Sequence, residues 1–129
     1  MNYYQQNEFA KAAEAYRQAL VIKLNDIDIN FTLVGAESGA KQYQAESRTL
    51  DKIWQIQTMG IKMAPYYYYR AEILVAGEKY NDAREQIDNA IVADSSHSKY
   101  YRLKIDILTK LGRLREVNAV KKELAELEK

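Results

Sequence analysis

The sequence predicts an all-α fold in which antiparallel helical hairpins stack into an array. Two observations support this prediction. Residues 98–129 repeat residues 64–97 at a shift of 34 positions, which aligns Tyr101 with Tyr67. Within each copy, apolar residues recur every three or four positions, the spacing of one face of an α-helix. A repeat of this length is typical of arrays in which each unit buries its apolar face only against its neighbours.

Length and composition describe an ordinary globular protein. The 129 residues, 47% of them hydrophobic and 29% charged, predict one domain over residues 1–129. The net charge of +1 indicates no strong general attraction to polyanions. The sequence has neither a long apolar run nor a secretory leader, so we expect no membrane span and a cytoplasmic location.

The first predicted helix covers residues 9–20, and residues 1–25 are interpreted as a partial repeat. Its apolar and small residues at helical spacing are Phe9, Ala12, Tyr16 and Ala19. Only residues 2–6 precede the turn expected before Phe9, so the partner helix would be nearly missing. The face that carries Phe9 would then be partly bare, as at an interface. A fragment of a longer array is favoured, and self-association through this end is the alternative.

Residues 26–63 are predicted to form a degenerate repeat of two helices. The first would begin at about Ile29, with Asp26 or Asp28 as the cap that accepts backbone N–H groups. Two glycines within this helix lower its stability by about 1 kcal/mol each relative to alanine, so we expect it to be the least stable. The second would run over about residues 44–59.

Residues 64–97 are predicted to form a complete repeat. Two helical patterns meet at Gly77. The small residues Ala71, Ala83 and Ala90 stand where two antiparallel helices would cross, because a methyl group permits close helix axes.

Four consecutive tyrosines open this repeat. Successive residues on a helix point about 100° apart, so the four cannot form one surface. Tyr67 is assigned to the core of the repeat, and Tyr66 and Tyr69 to the preceding unit. Tyr68 is left for the outer surface.

Residues 98–129 are predicted to form a terminal repeat with a capping helix. That helix, from about Leu114 to Leu127, has an apolar face and a charged outer face, as expected of a solubilising cap.

Aromatic, small and bulky residues follow a fixed order along residues 64–97: Tyr67, Ala71, Leu74, Tyr80, Ala83, Ile87 and Ala90. In this order the segment resembles the tetratricopeptide repeat family, with Ser95 where the family usually has proline. The resemblance implies a right-handed α-solenoid of about three units, the first of them truncated.

The resemblance also implies that first helices line a concave groove that binds a peptide. The groove positions carried over from the family are Tyr68, Glu72, Val75 and Ala76 in one repeat, and Lys99, Arg102, Asp106, Thr109 and Lys110 in the last. The degenerate repeat would add Thr32, Ala36 and Gly39. We therefore expect a scaffold, adaptor or co-chaperone-like module with a protein or peptide partner. Lys99 and Arg102 would hold an acidic or C-terminal carboxylate end of that partner.

The sequence offers little for catalysis, so we predict no enzyme, no metal and no cofactor. The single histidine, His97, and the absence of cysteine exclude the usual zinc ligand sets. No glycine-rich phosphate loop is present. Carboxylates at helical spacing are typical of a solvated face.

Two other functions stay open. Residues 98–122 contain eight lysines or arginines against two acids, and such a cluster can neutralise phosphates of RNA. We do not favour RNA, because the cluster lies in one unit and the whole chain is nearly neutral. The other alternative is that the chain is a purely structural piece of a longer array.

Overall fold

The computed structural model describes residues 3–56 and 63–129, which form α-helices and no strand. The all-α prediction is therefore confirmed for these residues. The helices are α1 (Tyr3–Ile22), α2 (Ile27–Gly39), α3 (Tyr43–Ile56), α4 (Ala64–Ala76), α5 (Tyr80–Ala93), α6 (Ser98–Lys110) and α7 (Leu114–Leu127).

The chain divides into two compact units, Met1–Ile61 and Lys62–Lys129. Unit 1 contains α1 to α3, and unit 2 contains α4 to α7. In each unit consecutive helices pack on one another, and their short connections make neighbouring helices antiparallel.

The first helix differs from the prediction. α1 is one continuous helix of 20 residues, so the turn expected before Phe9 is wrong. The physical reason lies in residues 3–8, which contain no glycine or proline and include glutamine and glutamate, both good helix formers. The residues that precede Phe9 extend its helix.

The face of α1 that carries Phe9 lies against α2. A Cβ atom on Gly39 would come within 2.5 Å of the Phe9 ring, so only glycine permits this approach. Phe9 as a whole is still 39% exposed. Further along the two helices, one buried hydrophobic cluster contains Ala13, Leu20, Leu33 and Ala36. The face predicted to be partly bare is thus partly covered by α2.

Unit 1 is also held by polar contacts. The Asp26 side chain accepts a hydrogen bond from the Ile29 backbone N–H at 3.0 Å, so Asp26 rather than Asp28 caps α2. The Glu37 carboxylate, 1% exposed, accepts from the Thr49 hydroxyl at 2.7 Å and from the Arg17 guanidinium at 3.0 Å. These bonds connect α1, α2 and α3 through one buried carboxylate. The predicted end of the second helix, at residues 57–60, lies outside the described residues.

Small residues allow two helices in the core of unit 2 to approach closely. Ala71 of α4 and both Ala83 and Ala90 of α5 are fully buried in one cluster, as predicted for a close helix crossing. The cluster continues into α6 through Tyr100 and Ile107. A second buried cluster joins α6 and α7, and it contains Tyr101, Leu108, Val117 and Val120.

Three of the turns share one geometry. In each, the backbone N–H that follows a left-handed residue bonds to the carbonyl five positions earlier, at 2.8–2.9 Å, which is the Schellman motif. The left-handed residues are Lys41, Glu78 and Gly112, with φ of 58°, 60° and 73°. Gly77, the residue at which the predicted helices meet, has an ordinary φ of −88°. The turn therefore places its left-handed residue one position after the glycine.

Candidate interaction surface on unit 2

Two tyrosines join the first helices of the two hairpins in unit 2. The rings of Tyr68 on α4 and Tyr100 on α6 stack with their centroids 5.1 Å apart and their planes at 30°. Tyr100 is 1% exposed, whereas Tyr68 is half-buried. The prediction that Tyr68 belongs to the outer surface is therefore incomplete, because one side of its ring packs on the next hairpin.

Lys99 covers this aromatic pair. Its Nζ atom lies 4.8 Å from the Tyr68 ring centroid, 5.9 Å from that of Tyr69 and 6.0 Å from that of Tyr100. These distances fall within the range of cation–π attraction. Among the described residues, no carboxylate lies within ion-pair distance of Lys99. The exposed ammonium group is therefore held on tyrosine rings with its charge directed to solvent.

Glu72 fixes the orientation of the Tyr68 phenol. It stands one turn after Tyr68 on the same helix face and accepts a hydrogen bond from the Tyr68 hydroxyl at 3.2 Å. Burial, followed by the Glu72 charge, raises the pKa of Tyr68 well above its usual range. Burial, followed by the charge of Asp94, raises the pKa of Tyr100 to about 12. Both phenols are therefore neutral at physiological pH.

Arg102 is engaged elsewhere. Its guanidinium forms an ion pair with Glu128, which follows the end of α7. The predicted pair of cations is thus divided, with Lys99 on the tyrosines and Arg102 tied to a carboxylate of the chain itself. A partner carboxylate would have to compete with Glu128 for Arg102.

The remaining predicted groove residues in unit 2 lie further along α4 and α6. Val75 is partly buried against the core, and Ala76 is exposed. The Thr109 hydroxyl donates to the Ile105 carbonyl at 2.7 Å, so it is occupied within its own helix. Asp106 and Lys110 are exposed. The structure thus brings together Tyr68, Glu72 and Lys99.

The three groove positions predicted in unit 1 do not form an open surface. Ala36 is buried in the core, and Gly39 lies under the Phe9 ring. Thr32 is exposed and its hydroxyl donates to the Asp28 carbonyl at 2.8 Å. The physical reason for this difference is that α1 packs on the face of α2 that carries Ala36 and Gly39.

Sequence reasoning missed Tyr100 as a neighbour of Tyr68. The 34-residue shift that aligns Tyr101 with Tyr67 also aligns Tyr100 with Tyr66, and both of these residues are buried. Tyr66 is assigned to contact the preceding unit. The alignment therefore predicts that Tyr100 also contacts the preceding hairpin, where Tyr68 lies.

His97 borders the same cluster. Its ring centroid lies 5.0 Å from that of Tyr100, and its Nε2 atom lies 3.1 Å from a carboxylate oxygen of Asp94. His97 precedes α6 but makes no side-chain capping hydrogen bond. It therefore stands at the start of α6 and also borders the aromatic cluster.

The basic segment at residues 98–122 is partly neutralised. Besides the Arg102 pair, Lys104 lies 2.8 Å from Asp88, and Arg113 lies 3.4 Å from Glu116. These pairs leave less positive charge for phosphates than the count of cations indicated.

Residues 3–56 and 63–129 contain no cluster of three or more side chains placed to bind a metal ion. None of the helices in these ranges is long and apolar enough to span a membrane.

No protein-family model and no curated protein matches this chain.

Proposed function

We propose that the chain is a protein-interaction module that binds a peptide segment of a partner on the surface formed by Tyr68, Glu72 and Lys99. The observation that supports this proposal is the Lys99 ammonium, which lies 4.8 Å above a half-buried tyrosine ring without a carboxylate partner among the described residues. The resemblance to tetratricopeptide repeats supports the same conclusion, since first helices bind the peptide in that family. Membership of the family and stacking as a right-handed solenoid belong to this proposal.

The chemistry of the surface favours a peptide with a carboxylate beside an apolar or aromatic residue. A carboxylate would form a charge-assisted hydrogen bond with Lys99. The neighbouring apolar side chain would cover the exposed edge of Tyr68, and tyrosines in such positions often dominate binding energy. The carboxylate is either an acidic side chain or the C-terminus of the partner.

A random-peptide display library panned against the full chain tests the proposal. We expect enrichment of sequences that combine acidic and apolar residues. Panning against Lys99→Glu should remove this enrichment, because the charge that meets the carboxylate is inverted. Lys122→Glu makes the same charge change on an exposed part of α7, so its panning should match that of the wild type. Failure to enrich any sequence, or equal enrichment with Lys99→Glu, would contradict the proposal.

The role of the aromatic ring is tested on one enriched peptide by fluorescence anisotropy. Tyr68→Phe keeps the ring on Tyr100 and should retain binding within about a few fold. Tyr68→Ala removes the ring and should weaken binding by about tenfold or more, as for a hot-spot tyrosine. Circular dichroism shows whether each variant keeps its helices. Full binding by a folded Tyr68→Ala variant would show that the Tyr68 ring does not contribute to peptide binding.

A further inference from the structure

Unit 1 contains a second candidate site, a pocket of about 280 Å³ between α1, α2 and α3. The α3 wall consists of Ala45, Arg48, Thr49 and Lys52, which share one helix face. A helix face turned towards two other helices is ordinarily apolar. Here it carries two cations and a hydroxyl, so the cleft is polar.

The charges around this pocket do not balance. Arg17, on the α1 side, is matched by the buried Glu37 at 3.0 Å. Among the described residues, Arg48 and Lys52 have no carboxylate within ion-pair distance. They stand one turn apart on the same face, where like charges repel. An anion bound between them would relieve a net charge of about two.

The same pocket also contains a hydrogen-bond acceptor, the side-chain oxygen of Asn30, that is unpaired within the part of the chain described by the structure. Asn30 is fully buried and is one of the lining residues. Its Nδ2 atom donates to the Asp26 carbonyl at 2.8 Å, whereas its Oδ1 atom has no hydrogen-bond partner among the described residues. A buried amide oxygen of this kind favours a donor beside it. Since Asn30 is buried and Arg48 is exposed, the acceptor lies deeper than the charges.

We propose that this pocket binds a small phosphomonoester whose carbon stem carries a hydroxyl group, such as a polyol phosphate. The phosphate group, with a charge of about −1.5 to −2 at neutral pH, matches Arg48 and Lys52, whereas one carboxylate would leave half of their charge unmatched. The stem passes Leu20 and Leu33, and its hydroxyl donates to Asn30 Oδ1. The volume of about 280 Å³ suits a ligand smaller than a typical drug molecule.

This site is separate from the peptide surface on unit 2, and the two proposals stand or fall independently. Its ligand is a small molecule, and its residues all belong to α1, α2 and α3.

Calorimetric titration of the full chain with three matched compounds tests the ligand chemistry. Glycerol 3-phosphate has both groups, propyl phosphate lacks the hydroxyls, and glycerol lacks the phosphate. We expect glycerol 3-phosphate to bind about two- to tenfold more tightly than propyl phosphate, the effect of one hydrogen bond, and glycerol not to bind. No binding of either phosphate would overturn the proposal. Equal affinities would do the same, because water rather than the ligand would then satisfy Asn30.

Variants test the residues. Arg48→Gln with Lys52→Gln should weaken glycerol 3-phosphate by at least about tenfold, because both charge partners are lost. The matched control, Lys23→Gln with Lys41→Gln, removes the same charge from two exposed lysines that do not line the pocket. This control should bind normally. Equal loss in both double variants would indicate general attraction to a positive surface and would overturn the proposal.

Two further measurements make the variant test specific. Circular dichroism should show unchanged helicity in both double variants, and peptide binding on unit 2 should be unchanged in both. Asn30 is left intact, because its Nδ2 group also donates to the carbonyl of Asp26, the N-cap residue of α2.

Discussion

The Tyr68 ring of α4 stacks on the Tyr100 ring of α6 with the two centroids 5.1 Å apart. Tyr100 is buried and serves as the support, whereas Tyr68 retains an exposed edge beside Lys99. The candidate surface therefore depends on how two successive hairpins pack, since neither α4 nor α6 could form it alone.

Gly39→Ala should destabilise the chain by about 1–3 kcal/mol, because the added methyl would overlap the Phe9 ring. Helix propensity alone predicts the opposite, a gain of about 1 kcal/mol. Urea unfolding of the full chain measures the difference. The same substitution in a Phe9→Ala background should cost much less, since the obstructing ring is gone. An alanine variant as stable as the parent would mean that α1 does not approach α2 at Gly39.

The turn geometry predicts opposite outcomes for two glycines. Gly112 has a φ of 73°, so Gly112→Ala should destabilise the chain by about 1 kcal/mol. Gly77 has a φ of −88° and room for a methyl group, so Gly77→Ala should be neutral or slightly stabilising. Denaturant unfolding compares the two variants. A greater loss at Gly77 would show that the left-handed residue is misplaced.

Ala83→Leu should cost about 1–3 kcal/mol, because Ala83 is fully buried where α5 packs on α4. Ala125→Leu adds the same atoms at an exposed position of α7 and should leave the free energy of unfolding nearly unchanged. Thermal unfolding followed by circular dichroism measures both. Equal melting temperatures for the two variants would contradict the close crossing of α4 and α5.

The Arg84–Glu116 pair should make stability depend on pH. An Arg84 nitrogen donates to the Glu116 carboxylate at 2.6 Å, and this bond lowers the pKa of Glu116. A carboxyl group whose pKa is lower in the folded chain stabilises the fold at every pH above its unfolded pKa of about 4.3. This contribution is lost as the pH falls through the pKa of the folded chain. Glu116→Gln should therefore lower the melting temperature at pH 7 and make no difference in strong acid.

Glu126→Gln is the matched control for this pH dependence. Glu126 pairs with Lys129 on the surface, where such pairs contribute little. The melting temperature of the Glu126→Gln variant should equal that of the parent at every pH. A Glu116→Gln difference that stayed constant down to strong acid would assign the effect to something other than ionisation.

The sequence predicted the C-terminal part of the fold best. The expected last helix, Leu114 to Leu127, is α7, and the alanines expected at a helix crossing are fully buried. These features depend on neighbours within a few turns of helix and on a repeat that is internal to the chain. Both kinds of information are legible in a single sequence.

The features that were missed depend on contacts between distant residues. The repeat pattern predicts a turn before Phe9, but the residues that precede it are too few to form a separate helix and extend α1 instead. The position of Gly39 under Phe9 joins residues 30 positions apart. The polar pocket of unit 1 depends on Arg17, Asn30 and Arg48 from three different helices. None of these contacts has a periodic signal in the sequence.

The central claim is that a peptide binds at Tyr68, Glu72 and Lys99. Its most direct test is a ¹⁵N–¹H spectrum of the full chain, titrated with an acidic peptide enriched by display. We predict that the largest shifts fall on the amides around Tyr68 and Lys99 and vanish in Lys99→Glu. Shifts confined to unit 1, or unchanged in Lys99→Glu, would contradict it.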